Sequence, residues 1–308
     1  MSIEYIVAAA DEVVFEWDED STYVDLTNTR LDSIPDNIPL NVDTVILRQN
    51  NIKHVQNLSQ LTSLTELDLY LNSIQHIDID ALPVSLTSID LSFNDIHDIN
   101  QLSLNKLTSL NELYLINNKI STINGLNNCQ SLNLLELGAN RFRSIRGIGE
   151  LIQLQSLYVG KNKITELPSD IIQCTQLSIL SVQSNRLTQL DNISSCTSLT
   201  ELYVSHNGLT ELNSSLYRLT SLRMLDVSGN QLINLDGLQY CIELEEVWCN
   251  DNLIDNWDSI IQYSNILTKI NTLYLERNPI QQQQPSDQYR DKVKLLFPQI
   301  EQLDADIY

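Results

Sequence analysis

Basic residues, glycine and proline are all scarce in this sequence. There are 18 Lys and Arg against 40 Asp and Glu, which gives a formal net charge of −22 at pH 7. A polyanion is repelled by phosphate backbones and by anionic lipid, so we expect no nucleic-acid or membrane partner, and instead a partner with a basic surface. Only 8 Gly and 7 Pro occur in 308 residues, which argues against glycine-rich cofactor loops and proline-rich linkers.

Long apolar runs are absent as well. No stretch approaches the ~20 apolar residues of a membrane-spanning helix, and the amino-terminal segment lacks the basic residues of a signal peptide. We therefore expect an intracellular protein. Hydrophobic residues make up 42% of the chain, enough for a packed core. The length exceeds what one simple core holds, so two domains or an array of repeats are expected.

One frame, L-x-x-L-x-L-x-x-N-x-L, recurs through most of the chain. A degenerate first copy has Thr29 in the asparagine position, which brings the number of copies to twelve. The frame asparagines follow at intervals of 22 to 26 residues, at Asn50, Asn72, Asn94, Asn118, Asn140, Asn162, Asn185, Asn207, Asn230, Asn252 and Asn278. This frame is the leucine-rich repeat. It predicts an α/β repeat solenoid with a parallel concave β-sheet and short helical or 3₁₀ segments on the convex side.

The flanks of the array are predicted to close it. Residues 1–20 form an acidic flank in which Phe15 and Trp17 can seal the first repeat, residues 21–280 form the solenoid, and residues 281–308 form a helical cap. Gln281–Gln284 reads as a loop, and Ser286 is predicted to be the N-cap of the closing helix. The frame asparagines are predicted to form a ladder of side-chain hydrogen bonds to backbone groups in the turns.

The residues that most often carry chemistry fit structural roles here. Cys129, Cys174, Cys196, Cys241 and Cys249 stand where other repeats have leucine. We expect buried, reduced thiols, although a bridge between Cys174 and Cys196 in adjacent repeats is geometrically conceivable.

Two histidines, His54 and His76, share one repeat position, and a stacked surface pair is favoured over a metal site there. The sequence has no G-x-x-x-x-G-K-[ST], G-x-S-x-G or H-E-x-x-H motif. We therefore predict neither an enzyme activity nor a cofactor or metal.

Side chains between and beside the strand leucines are predicted to stand in solvent on the concave face. Three such columns in twelve repeats give 36 positions, of which ten are acidic, seven are Tyr or Trp, and one, Arg48, is basic. Open sheet faces tolerate Tyr for its strand propensity, but acids interleaved with aromatics are typical of a protein interface. Trp248 is the strongest single candidate, because an exposed Trp on a sheet is unusual.

Several strings go beyond the general repeat consensus and resemble the leucine-rich-repeat regulatory subunits of protein phosphatase 1, the regulatory subunit 7 family. They lie at residues 47–53, 66–70, 91–94, 135–141, 160–165, 183–188, 205–208, 248–253 and 274–279. The tail from Gln288 to Asp304 is similar to that family's C-terminal cap. The resemblance therefore covers about residues 21–306.

The resemblance implies a non-catalytic regulatory or scaffold subunit that binds the protein phosphatase 1 catalytic subunit through its acidic and aromatic concave face. Such a subunit controls the activity, maturation or localisation of the phosphatase in the nucleus and cytoplasm, alone or with a further inhibitor subunit. Tyr114 and Tyr158 depart from the family, which tends to have Phe there. The positions that match the family's contact residues are Asp90, Tyr114, Glu136, Tyr158, Asp226, Glu246, Trp248 and Tyr274.

Two other interpretations stay open. One is an intracellular leucine-rich-repeat adaptor for a cytoskeletal or ciliary partner, which co-purifying proteins would reveal. The other is an enzyme or an extracellular ligand receptor, which activity of the purified chain or mapped disulfides would favour.

Overall fold

The computed structural model describes residues 5–7, 13–18 and 20–307. The chain forms two compact units, Met1–Glu136 (unit 1) and Leu137–Tyr308 (unit 2). Both are built from the repeat that the sequence predicts.

Unit 1 contains a parallel sheet of six strands, β3, β4, β6, β8, β9 and β10, which pair in chain order. An antiparallel pair of strands, β1 and β2, precedes it, and β5 and β7 form a separate parallel pair. Its 3₁₀ helices are Ile99–Leu102 and Leu104–Lys106. The strands are β1 (Tyr5–Val7), β2 (Val13–Phe15), β3 (Tyr23–Asp25), β4 (Thr44–Ile46), β5 (His54–Val55), β6 (Glu66–Asp68), β7 (His76–Ile77), β8 (Ser88–Asp90), β9 (Glu112–Tyr114) and β10 (Leu134–Glu136).

Unit 2 continues the pattern with seven parallel strands in chain order and one antiparallel strand, β18, at the end. The strands are β11 (Ser156–Tyr158), β12 (Ile179–Ser181), β13 (Glu201–Tyr203), β14 (Met224–Asp226), β15 (Glu246–Trp248), β16 (Thr272–Tyr274), β17 (Gln302–Leu303) and β18 (Asp306–Ile307). The α-helices are α1 (Asp258–Ser264), α2 (Pro279–Gln282) and α3 (Ser286–Leu296). The 3₁₀ helices are Ile148–Glu150, Ser169–Gln173, Ile193–Ser195, Asn213–Leu216 and Leu238–Tyr240. The twelve strands that the repeat frame predicts are therefore all present, six in each unit.

The frame asparagines bond backbone groups that the turn leaves unpaired. Asn94 donates from Nδ2 to the carbonyl oxygens of Leu69, at 3.0 Å, and Leu91, at 3.1 Å, and its Oδ1 accepts from the N–H of Ile74 at 2.8 Å. The residue before each frame asparagine has a positive φ, as Leu71 does at 55°. The chain thus leaves the sheet through a left-handed residue, and the asparagine satisfies the groups that this exposes. The predicted ladder is confirmed.

The interior of both units is formed by the frame leucines and by the cysteines that replace them. All five cysteines are buried and free, so the structure has no bridge between Cys174 and Cys196. Their Sγ atoms lie 3.5 Å and 3.7 Å from the carbonyl oxygens of Ile148 and Ile171 in the preceding repeats. The prediction that these thiols act as small buried hydrophobic groups is confirmed.

Aromatic side chains cover the start of unit 1, and a helix covers the end of unit 2. At the start of unit 1, Phe15 is 4% exposed and its ring stacks on that of Trp17, with centroids 5.5 Å apart. The predicted acidic flank also includes Glu4, Asp11, Glu12 and Glu19, which lie outside the described residues. In unit 2, α3 buries Tyr289 and Val293.

Two predictions about the C-terminal segment are wrong in detail. Ser286 is the first residue of α3 and not its N-cap, which is Pro285 and makes no side-chain hydrogen bond. The fixed φ of proline suits that boundary. Gln281–Gln284 is not wholly a loop, because Pro279 starts a short helix that includes Gln281 and Gln282.

In the part of the chain that the structure describes, no helix is both long and apolar enough to span a bilayer.

Candidate functional site

The outward-facing side chains of each parallel sheet form what we call the open face. Strand residues alternate between the core and this face. In unit 1 its central column is Asp25, Ile46, Asp68, Asp90, Tyr114 and Glu136. In unit 2 the central column is Tyr158, Ser181, Tyr203, Asp226, Trp248 and Tyr274.

Three of the predicted site residues lie together in unit 1. The strand register pairs Tyr114 with Asp90 on one side and with Glu136 on the other. Burial is the main cause that raises the pKa of the Asp90 carboxyl, and burial, followed by the charge of Asp90, raises that of Glu136. Burial and the neighbouring Glu112 raise the pKa of the Tyr114 hydroxyl to about 12. An aromatic ring thus stands between two carboxyl groups that are partly withdrawn from water.

The other five predicted residues lie in unit 2, and four of them are contiguous. Asp226, Trp248 and Tyr274 occupy three adjacent strands in register, and the Trp248 and Tyr274 rings meet at 5.5 Å with an interplanar angle of 62°. Glu246 lies beside Trp248 on the same strand. Tyr158 is set apart from this group, because Ser181 and then Tyr203 stand between it and Asp226.

The prediction that the open-face side chains stand in solvent is wrong for several of them. Asp68 and Asp226 are each only 3% exposed, and Trp248 is half-buried rather than exposed. The buried aspartates also make local hydrogen bonds. Oδ1 of Asp226 accepts from the N–H of Ser228 at 3.0 Å and from its hydroxyl at 2.7 Å.

The same bond recurs at other aspartates of the central column. Asp25, Asp68 and Asp90 each accept from the N–H two residues later, at 2.9 Å, 3.0 Å and 2.8 Å. These carboxylates therefore stabilise the end of their own strand, which is a structural role that the sequence analysis did not assign to them.

Sequence reasoning also missed a recurring pair of side chains. Three glutamates accept a hydrogen bond from the aromatic residue two positions later on the same strand. The pairs are Glu112–Tyr114 at 3.1 Å, Glu201–Tyr203 at 2.8 Å and Glu246–Trp248 at 2.8 Å. Glu112, Glu201 and Tyr203 were not among the predicted site residues. The signal was available, because positions i and i+2 of a strand face the same side and Glu-Leu-Tyr occurs at both 112–114 and 201–203.

Arg48, the one basic residue of the predicted columns, is already paired. Its Nε donates to Oδ2 of Asp68, and its guanidinium carbon lies 5.8 Å from the centroid of the Tyr70 ring. The carboxylate is buried while the arginine side chain is half exposed. One acidic position of unit 1 is therefore neutralised by a side chain of the chain itself.

Comparison with known protein families supports the interpretation of the repeat. A family model described as "Leucine rich repeat" matches residues 84–146, 152–209 and 175–232. The chain is a leucine-rich-repeat protein. None of the curated proteins compared with the sequence matches it.

Solved leucine-rich-repeat structures share the fold. Internalin InlF of Listeria monocytogenes is 23% identical with a TM-score of 0.73, and the match covers 96% of this chain and 91% of that one. A leucine-rich-repeat protein of Leptospira interrogans is 21% identical with a TM-score of 0.63, covering 92% and 96%. A chain in the octameric complex of latrophilin 3, Unc5D and FLRT2, where FLRT2 supplies the repeat, is 26% identical with a TM-score of 0.68, covering 82% and 90%.

These likenesses support a protein-interaction role for this leucine-rich-repeat protein. Proteins of this class are typically non-enzymatic interaction scaffolds, and no catalytic family is indicated by the comparisons.

Proposed function

We propose that this leucine-rich-repeat protein is a non-catalytic subunit that binds the protein phosphatase 1 catalytic subunit on its open faces. The partner's identity rests on the sequence resemblance to the regulatory subunit 7 family. The same resemblance is the ground for a location in the nucleus and cytoplasm and for control of the activity, maturation or localisation of the phosphatase. The observation that best supports binding of a basic protein is the surroundings of Asp226.

Asp226 lies at the centre of an acidic and aromatic part of the open face in unit 2. The register puts Tyr203 on one side of it and Trp248 on the other. Both rings are fixed through hydrogen bonds to Glu201 and Glu246, which add two carboxylates at the rim. A carboxylate between aromatic rings favours binding of a cation, through its charge and through the faces of the rings.

An ion pair within unit 1 illustrates the contact that we propose between Asp226 and the partner. There Oδ2 of Asp68 is bonded by Arg48, which stands two residues before Asn50 in the preceding repeat. The corresponding place before Asn207 in unit 2 is Ser205, whose side chain is too short to reach across. Within the described residues, no hydrogen bond reaches Oδ2 of Asp226, although its Oδ1 is fully used. We infer that an arginine or lysine of the partner takes the place that Arg48 takes in unit 1.

The aromatic residues supply the apolar part of the interface. Trp248 and Tyr274 pack edge to face, and Met224, which is in register with Glu246 on the neighbouring strand, is 9% exposed. Half-buried aromatic side chains with fixed rotamers lose little entropy on binding, which is the usual character of an interface hot spot. The net charge of −22 adds long-range attraction for a basic partner and makes the association rate sensitive to salt.

The test is calorimetry of the full chain with the phosphatase catalytic subunit. Trp248→Ala should weaken the complex by roughly 2–4 kcal/mol, about 30- to 1000-fold in Kd, with folding unchanged. Tyr217→Ala is the control, because Tyr217 is an aromatic of the same unit that is 48% exposed and lies outside the open face.

A second variant isolates the charge. Asp226→Asn keeps an oxygen for the Ser228 bonds and removes the negative charge, so affinity and its dependence on salt should both fall. No binding by the wild-type chain would reject the phosphatase as partner. Recovery of motor or cytoskeletal proteins from native lysate, without phosphatase, would then favour the adaptor interpretation.

A further inference from the structure

His54 and His76 stand next to each other in unit 1, away from the open face. Each follows its frame asparagine by four residues, and the parallel pairing of β5 with β7 puts the two histidines in register. Their strand neighbours Val55 and Ile77 are buried at 0% and 3% exposure. The imidazoles therefore project outward from a fixed backbone, where an ion from solvent can reach them.

The distance between the rings fits a shared metal ion. Nδ1 of His54 lies 3.2 Å from Nε2 of His76, with ring centroids 4.7 Å apart. Nitrogen ligands bind zinc at about 2.0–2.1 Å, so two of them on one ion lie roughly 2.9–3.4 Å apart, according to whether the angle is octahedral or tetrahedral. The two nitrogens thus already have the separation of a chelating pair.

A carboxylate converges on the same nitrogen. Oδ1 of Asp78 lies 3.6 Å from Nε2 of His76, and both side chains are about half exposed. Neutral His76 has at most one proton on Nε2. If that proton is donated to His54, Asp78 receives no hydrogen bond from His76 and is left to water. If His54 donates instead, the Asp78 oxygen faces a lone pair. A cation between the three groups removes this conflict.

We propose that His54 and His76, with Asp78 as third ligand, bind a divalent transition metal ion of the zinc, nickel or copper class. Two imidazoles and one carboxylate are ligands that these metals accept. Among the described residues no group of three such side chains could hold a metal ion as it stands, so Asp78 completes the site only after a side-chain rotation, which its exposure permits. The ion clamps two successive repeats together, independently of any partner on the open face.

The experiment is titration of zinc chloride into the full, untagged chain, followed by calorimetry. The wild-type chain should bind one equivalent, and His54→Gln and His76→Gln should each weaken binding at least tenfold. His97→Gln is the matched control, since His97 is an exposed histidine of the same unit outside the pair. Absence of saturable binding, or affinity that survives both pair variants, would overturn the proposal.

Two further measurements test the ligand set. Asp78→Asn should also weaken zinc binding, and unchanged affinity would reject the carboxylate as a ligand. Acidification should release the metal, because protons compete for the imidazole lone pairs. Bound zinc should raise the midpoint of thermal unfolding in the wild-type chain and not in His76→Gln, and equal shifts in both would contradict a clamp at this pair.

Discussion

Replacing Asn230 by alanine should be among the most damaging single changes in the chain. Asn230 is 7% exposed. Its Nδ2 donates to the carbonyl oxygens of Val204, at 3.1 Å, and Val227, at 2.9 Å, and its Oδ1 accepts from the N–H of Leu209 at 3.1 Å. All three backbone groups belong to residues that are 0% exposed, so water cannot replace the lost partner without opening the turn.

The loss of stability follows from these three lost hydrogen bonds. A buried polar group left without its partner costs about 1–3 kcal/mol, and the small void adds to this, so Asn230→Ala should lower the free energy of unfolding by about 3–5 kcal/mol. That is a large fraction of the ~5–15 kcal/mol that is the free energy of unfolding of a typical domain. Urea denaturation followed by circular dichroism measures it, with exposed Asn256→Ala as the control at about 1 kcal/mol or less.

A second variant separates the polar contribution from the packing contribution. Asn230→Leu restores the volume but none of the hydrogen bonds, so it should remain nearly as unstable as Asn230→Ala. Should Asn230→Leu unfold at the wild-type urea concentration, the asparagine ladder would be shown to act by filling space, and the hydrogen-bond reasoning would be refuted.

Three further predictions concern buried groups and backbone geometry. Burial raises the pKa of the Cys129 and Cys196 thiols to about 11 and those of Cys174 and Cys241 to about 12, so Ellman's reagent at pH 8 should label none of these in the native chain and all of them after denaturation. The raised pKa of Tyr114, about 12, means that the unfolded chain loses this proton first. The contribution of this hydroxyl to the free energy of unfolding is therefore present below pH 10 and is lost as pH rises towards 12. The difference in absorbance near 295 nm between the wild-type chain and Tyr114→Phe should titrate at about pH 12. Gly229→Ala should lower the free energy of unfolding by about 1–2 kcal/mol, because φ at that position is 64° and the new Cβ would lie 2.5 Å from Nδ1 of His206. In thermal unfolding, the double variant with His206→Ala should lose less stability than the sum of the two single variants.

The fold could be predicted because the signal is repeated. One leucine frame is weak evidence, but twelve copies, eleven of them with an asparagine at a fixed place, leave little choice of architecture. The cysteine columns followed from the same frame. The termini were harder, since Pro285 and the turn after Pro279 depend on local backbone angles that occur once in the chain and have no second copy to reveal them.

The composition of the open face was predictable, whereas the state of its side chains was not. The columns of acids and aromatics were evident from the frame. Asp226 accepts from the N–H of Ser228, whereas Glu246 accepts from the Trp248 ring. Which bond forms depends on rotamers and on which donor lies two residues along the strand. The length of the side chain decides between them, because Asp reaches the nearby backbone and Glu reaches the neighbouring ring.

A charge count over such a surface therefore overstates what a partner can use. Asp68 and Asp226 occupy the same repeat position and make the same bond to the following backbone, yet Asp68 is neutralised by Arg48, whereas Ser205 stands at the place that corresponds to Arg48 in the repeat before Asp226. The residue that distinguishes them lies about twenty positions away in the sequence and is adjacent only because the repeats stack. For a leucine-rich-repeat protein, an acid on the open face becomes a candidate binding residue only when the position one repeat before it carries no cation.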